Sequence, residues 1–157
     1  LLLTKKACIM NIVAPVSTIM STRLVTVNPD DSLEKVKACF DEHNIHHLPV
    51  VNYKQIVGII SSTDFNHFLR GFTRNEHDSL LETVRLRAWK AQDIMTEGLA
   101  KVEATDPIRT ILEVFKTNRI HALPVVENNE LVGIVTTYDI ICALAEEPIQ
   151  LQDYKQH

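Results

Sequence analysis

Short apolar runs alternate with amphipathic stretches along this chain, and the alternation occurs twice. Leu24-Val25-Thr26-Val27 has the β-branched density that predicts a short strand. Leu33, Val36 and Phe40 then recur at helical spacing, behind a start at Asp31-Ser32-Leu33-Glu34 in which Asp31 is read as the cap, with Glu34 three residues on. Residues 48–51 and 55–60 predict two strands joined by a turn at Asn52-Tyr53-Lys54, and a helix follows over 62–69. The same order returns further on. Asp106-Pro107 opens a helix with Pro in its first position, Asn128-Asn129 makes the turn because Asn tolerates positive φ, and a last helix covers 137–145. Each half reads β-α-β-β-α.

The two halves are copies. Laying Met20 on Met95, an offset of 75, aligns the chain with itself without gaps for 45 positions. Ile45-His46 falls on Ile120-His121, Leu48-Pro49-Val50-Val51 on Leu123-Pro124-Val125-Val126, and "GIISSTD" (Gly58 to Asp64) on "GIVTTYD" (Gly133 to Asp139). Such a unit is too long for a solenoid repeat and reads as a duplicated small domain. The organisation is repeat 1 over 16–70, a linker with a connecting helix over 71–91, repeat 2 over 92–146 and a polar, frayed tail over 147–157. In the linker, residues 71–78 are polar and expected to be mobile. Ser79-Leu80-Leu81-Glu82 is a capping-box start; Leu81, Val84 and Ala88 share one face, and Trp89 anchors the end.

Composition removes several function classes. At 157 residues and 45% hydrophobic, the chain buries enough surface to fold without disulfide or metal. A net charge of −4 with no Lys/Arg stripe argues against nucleic acid, and no apolar run is long enough for a membrane span. Cys8, Cys39 and Cys142 lack C-x-x-C spacing, which predicts free thiols in a reducing, cytoplasmic setting, with Cys39 and Cys142 as core filler. The opening LLLTKKACIM lacks the order of a signal peptide, and Met10 is read as a native start. No catalytic motif is present, so no enzyme is expected.

Two β-α-β-β-α units, each with an "LPVV" strand and a G-h-h-[ST]-x-x-D turn, resemble a tandem pair of CBS (cystathionine-β-synthase-type) domains, the Bateman module, over 16–144. The resemblance implies an α+β fold, α/β-like, with two repeats about a pseudo-twofold axis. It also implies a cleft for an adenosine-containing ligand: AMP, ADP, ATP, S-adenosylmethionine or cyclic di-AMP. Carried over, Asp64 and Asp139 would hold ribose hydroxyls, and Ser61 and Thr136 would approach phosphate. Gly58 and Gly133 would let ligand or backbone come close, and Thr63 and Tyr138 sit at helix starts that favour an anion. One carboxylate can accept both hydroxyls of a ribose, so the chemistry fits. Ser61-x-x-Asp64 and Thr136-x-x-Asp139 also match a capping box, which needs no ligand, and a turn residue can do both.

His46 and His121 are equivalent positions, and His47 adds a third imidazole where copy two has Ala122. The resemblance implies phosphate contacts there; the alternative is half-buried strand-entry residues bonded to backbone. Copy two lacks one histidine, so the sites are expected to be unequal, and phosphate affinity should rise as pH falls toward 6. Arg23 and Arg119 are further phosphate candidates, with surface charge as the other reading. His43, His46 and His47 lack a full metal-ligand set. The expected function is a regulatory protein that needs no cofactor, binds adenine nucleotide and shifts conformation toward an effector protein. It is expected to dimerise through the helices after each motif, using Phe65, Phe68 and Leu69, and Ile140, Ile141 and Leu144. The alternatives are an interaction module with degenerate clefts, and an S-adenosylmethionine or cyclic di-AMP sensor.

Overall fold

The computed structural model describes residues 10–71 and 79–146; Cys8, the polar stretch after Gly71, the Ser79 side chain and the tail after Glu146 lie outside them. In copy one, helix α1 (Leu33–His43) leads to strand β1 (His47–Asn52), strand β2 (Gln55–Ser61) and helix α2 (Ser62–Arg70). After helix α3 (Ser79–Ala88), copy two runs β3 (Val102–Glu103), α4 (Ile108–Asn118), β4 (Ala122–Glu127), β5 (Glu130–Thr136) and α5 (Thr137–Ala145).

Each copy is built on the same hairpin. β1 and β2 pair antiparallel from His47↔Ser61 to Asn52↔Gln55, and β4 and β5 from Ala122↔Thr136 to Glu127↔Glu130, with an irregularity at equivalent places, Val50/Val51 and Val125/Val126. The turns need two consecutive residues at positive φ. Asn128 (φ 50°) and Asn129 (φ 65°) suit this, but copy one forces Tyr53 (φ 46°) and Lys54 (φ 68°) into it. Replacing Tyr53-Lys54 with Asn-Gly should therefore stabilise the protein by about 1 kcal/mol, a rise of a few degrees in Tm. A double variant that melts no higher would contradict strain at this turn.

Three local expectations change. The strand expected at residues 24–27 shrinks to one parallel bridge, Val27↔Val50, because Leu24 and Val25 turn instead into the wall of a cleft. Helix α1 is capped by Ser32, whose hydroxyl accepts from the Lys35 N–H at 3.3 Å; Asp31 lies one residue outside, accepting from the Asn28 N–H and pairing with Lys35 Nζ at 2.8 Å. Pro107 likewise stands just before α4, not within it.

The cores explain how the copies join. Leu33 and Val36 of α1, Leu48, Val50, Ile60 and Phe65 form one core; Ile108, Ile111 and Phe115 of α4, Leu123, Val125, Val135 and Ile140 form the other. Each core is completed by the segment that leads into the other repeat. Val16, Ile19 and Met20 pack into the second core, and Leu86, Ala91, Ile94 and Met95 into the first. Backbone pairs follow the exchange: Ser21 with Ile134, and Ile59 with Thr96, each through two hydrogen bonds. Shifting residues by 75 and swapping partners turns Ser21↔Ile134 into Ile59↔Thr96, and Pro15↔Pro107 into Ser32↔Lys90. That reciprocity is the signature of a twofold relation between the repeats.

The connecting helix differs from its expected face. Leu81 and Val84 are 50% and 63% exposed, while Leu86 is the buried contact and Arg87 ties α3 to Glu34 of α1. Trp89 closes the helix end by packing edge-on against Phe68, ring centroids 5.2 Å apart. Phe65 and Ile140, expected on an outer apolar face, are core residues, whereas Ile141 and Leu144 are exposed. Cys39 and Cys142 are half-buried free thiols, and burial pushes the Cys39 thiol upward, away from the reactive thiolate.

Candidate functional site

A cavity of about 530 Å³ opens where the exchanged segments meet. One wall is the lead-in of repeat 1, with Ser21, Arg23, Leu24 and Val25; a second is the approach to β1, from Asn44 to His47 with Pro49. The third wall is the end of β5 and the start of α5, with Ile134, Thr136, Thr137, Tyr138 and Asp139, and His121 reaches in beside them. Such a volume is typical of small-molecule sites.

The start of α5 fixes Asp139. Its Oδ2 accepts from the Thr136 N–H and from the Thr136 hydroxyl, both at 2.7 Å, and its own N–H donates to Thr136 Oγ1 at 3.1 Å. The capping box is complete. It occupies only one carboxylate oxygen, however, and Oδ1 receives only a long hydrogen bond from the Ser21 hydroxyl across the cleft, at 3.4 Å. The carboxylate is thus held by its helix and keeps acceptor capacity toward the cavity. Asp64 is built similarly: the Ser61 hydroxyl donates to its Oδ2 at 2.6 Å and the Asp64 N–H donates back at 3.0 Å.

Three histidines also line the cavity, His46 and His47 from repeat 1 and His121 from repeat 2. The main-chain carbonyls of His46 and His121 accept from the Ser62 and Thr137 N–H groups at 2.9 and 3.0 Å, which pins both residues to the helix starts. His47 is half-buried at the head of β1. Burial, then the neighbouring His46 and His121, push its imidazole below the ordinary 6.5, while Asp64 pulls the other way.

Of the predicted site residues, this cavity brings together His46, His47, His121, Thr136, Tyr138 and Asp139; Ser61, Thr63 and Asp64 lie outside its lining. Gly58 and Gly133 do not open toward a ligand. A β-carbon on Gly58 would collide with Met95, and one on Gly133 with Met20 and the Ser21 carbonyl, so the glycines admit the methionine of the opposite lead-in. Ser21, Leu24, Val25 and Asn44 were not foreseen as lining residues. The available signal was that self-alignment begins on Met20 and Met95, the residues that dock. Arg23, one of two arginine candidates, lines the cavity; Arg119 instead ends α4 at φ 53°. Among the described residues no cluster of His, Cys, Asp and Glu could hold a metal, and no helix is long and apolar enough to cross a membrane.

Comparison with known proteins agrees with this architecture. A family profile of the CBS domain matches residues 16–71 and again 91–146. Protein MJ1225 of Methanocaldococcus jannaschii is 29% identical over 119 residues, 75% of this chain and 42% of that protein. The chain spans 21% of two archaeal inosine-5′-monophosphate dehydrogenases that it also matches, so it covers less than half of these relatives. Among solved structures, the CBS domain pair of protein MJ0100, in complex with 5′-methylthioadenosine and S-adenosyl-L-methionine, superposes with a TM-score of 0.68 at 25% identity, covering 87% of this chain and 99% of that one. Two structures share the fold at 23% identity. CBSX2 in complex with AMP gives a TM-score of 0.68 over 85% of this chain and 97% of its own. The CBS domain of a bacterial CNNM/CorC-family Mg²⁺ transporter in complex with ATP gives 0.69 over 86% and 89%. With the profile matched twice, in tandem, over most of its length, this chain belongs to the CBS-domain family.

Proposed function

We propose that this protein is a regulatory CBS pair, without catalysis of its own, that binds an adenosine-containing ligand in the Asp139 cleft. The carrying observation is Asp139 itself, fixed through Oδ2 by Thr136 and open through Oδ1 toward the cavity. A ribose offers two adjacent hydroxyl donors, and in this reading Oδ1 accepts them in exchange for the long Ser21 contact. Leu24, Val25, Ile45, Pro49 and Ile134 give the apolar walls that a purine needs. Arg23 is the one permanent cation among the lining residues, which suits a short phosphate chain, AMP or ADP, better than ATP. The bound complexes of MJ0100, CBSX2 and the transporter CBS domain support the adenosine class.

Binding ties the lead-in of repeat 1 to α5 of repeat 2, so ligand favours one arrangement of the repeats and an effector protein reads the outcome. Exposed Ile141 and Leu144 on α5, at 59% and 51%, support a homodimer or effector contact through that helix. A thermal-shift screen tests the binding reading. AMP or ADP at saturating concentration should raise Tm, because a ligand that prefers the native state stabilises it, whereas GMP should not. If AMP, ADP, ATP, S-adenosylmethionine and cyclic di-AMP all leave Tm unchanged, the interaction-module reading with degenerate clefts replaces this one.

A further inference from the structure

Each lead-in docks on the opposite repeat through a methionine, and a thioether sulfur is a group that peroxides oxidise. We propose that Met20 and Met95 are paired oxidation sites, whose conversion to sulfoxides by hydrogen peroxide loosens the exchanged lead-ins and the wall of the Asp139 cleft. The effect on the cleft's ligand rests on the sensor reading; the loosening does not.

The chain has three methionines, Met10, Met20 and Met95, and the last two stand at equivalent places in the two copies. Each lies across a strand glycine of the opposite repeat. Met95 Sδ fills the space that a β-carbon on Gly58 would take, and Met20 Sδ does the same at Gly133. Both residues are only half-buried, so neither side chain is sealed from a solute as small as hydrogen peroxide. Met10 also packs beside the second core, but it is not among the atoms nearest either strand glycine, which makes it an internal comparison.

In the reaction a sulfur lone pair attacks one peroxide oxygen and the O–O bond breaks. The sulfur gains that oxygen, and the peroxide is reduced to water. The apolar side chain now carries a strong hydrogen-bond acceptor. Among the described residues no buried side chain is polar, so neither core holds a side-chain donor for it. The sulfoxide therefore draws the side chain off its glycine and toward water.

Leaving the glycine matters because the next residue carries the joint. Ser21 and Thr96 follow the methionines directly, and each exchanges two backbone hydrogen bonds with the opposite repeat, at Ile134 and Ile59. Ser21, Arg23, Leu24 and Val25 are also one wall of the cavity, so Met20 anchors a binding surface as well as a packing contact.

The test treats the whole chain with dilute hydrogen peroxide, then with dithiothreitol to return oxidised cysteines, and locates added oxygen by peptide mass spectrometry. Met20 and Met95 should each gain one oxygen, and Tm should fall by about 5 °C. Methionine sulfoxide reductases should restore it. The Met20→Leu/Met95→Leu protein keeps Met10 and every cysteine, and leucine fills similar volume, so its Tm should hardly respond to the same treatment. The reductase step uses the unaltered sequence and decides the matter even where the double variant folds poorly. Sulfoxide at both positions with Tm unchanged overturns the inference. So does an equal fall in the double variant, or survival of both thioethers at a dose that oxidises a free methionine peptide. Calorimetry should show weaker AMP binding after oxidation, and equal affinity would overturn the effect on the cleft. If the untreated protein binds no AMP, the sensor reading falls while the melting result still decides the oxidation sites.

Discussion

Gly58→Ala should destabilise the protein by about 1–3 kcal/mol, although it adds a single methyl group to a strand that tolerates alanine. The new β-carbon would stand about 3.0 Å from Met95 Cβ and closer still to its Cγ and sulfur, so a change of rotamer at the tip does not relieve the contact. Met95 belongs to the lead-in of repeat 2, yet it packs in the core of repeat 1, and the adjacent Thr96 pairs with Ile59. The cost therefore falls on the exchanged packing that holds the repeats together. Met95→Ala alone leaves a cavity and costs about 2–5 kcal/mol, but in the Met95→Ala background the glycine substitution should become nearly neutral. Denaturant melts of the four proteins of that cycle give the coupling. Strict additivity would contradict the exchange as a source of stability. The counterpart, Gly133→Ala, should be rescued only partly by Met20→Ala, because its β-carbon also meets the Ser21 carbonyl at 3.3 Å, and that backbone cannot be trimmed away.

Asp139→Ala should weaken adenosine-ligand binding by about ten- to a hundredfold, the loss of charge-assisted hydrogen bonds to two hydroxyls. The same change removes the acceptor for the Thr136 N–H and so lowers stability by about 1 kcal/mol. Asp64→Ala separates the two effects. Asp64 exchanges hydrogen bonds with the Ser61 hydroxyl at the start of α2, without the backbone bond that Thr136 gives Asp139, and it does not line the described cavity. Its loss should cost less than about 1 kcal/mol of stability, since no backbone donor is orphaned, and leave affinity in the Asp139 cleft nearly unchanged. Equal losses of affinity in the two variants, measured by calorimetry with AMP, would show that the Asp139 effect runs through folding.

Much of the fold is legible in local sequence because each hairpin carries its own instructions. Alternation at Gln55–Ser61 and Glu130–Thr136, and turn residues two apart, set the register without distant information. The helices after each motif announce themselves through Ser61 and Thr136. The exchange of lead-ins is not legible this way. Val16, Met20, Leu86 and Met95 carry no periodic pattern, and the partners of the first two lie about a hundred residues along the chain. The glycines were visible, but their purpose depends on which side chain arrives from that distant segment. For the same reason half of the cleft was foreseen, the half that belongs to the repeated motifs. The expected face of α3 misled because spacing shows which residues share a face and not whether that face meets a neighbour.

The ribose contact at Asp139 is tested most directly from the ligand's side, on the unaltered protein. Calorimetry with AMP and with its 2′,3′-dideoxy counterpart compares molecules that share purine and phosphate and differ in the two hydroxyls. Affinity for the dideoxy compound should drop by about ten- to a hundredfold, and Asp139→Ala, which has no acceptor left, should bind the two alike. Equal affinity of the wild-type protein for both would contradict the assignment of Asp139.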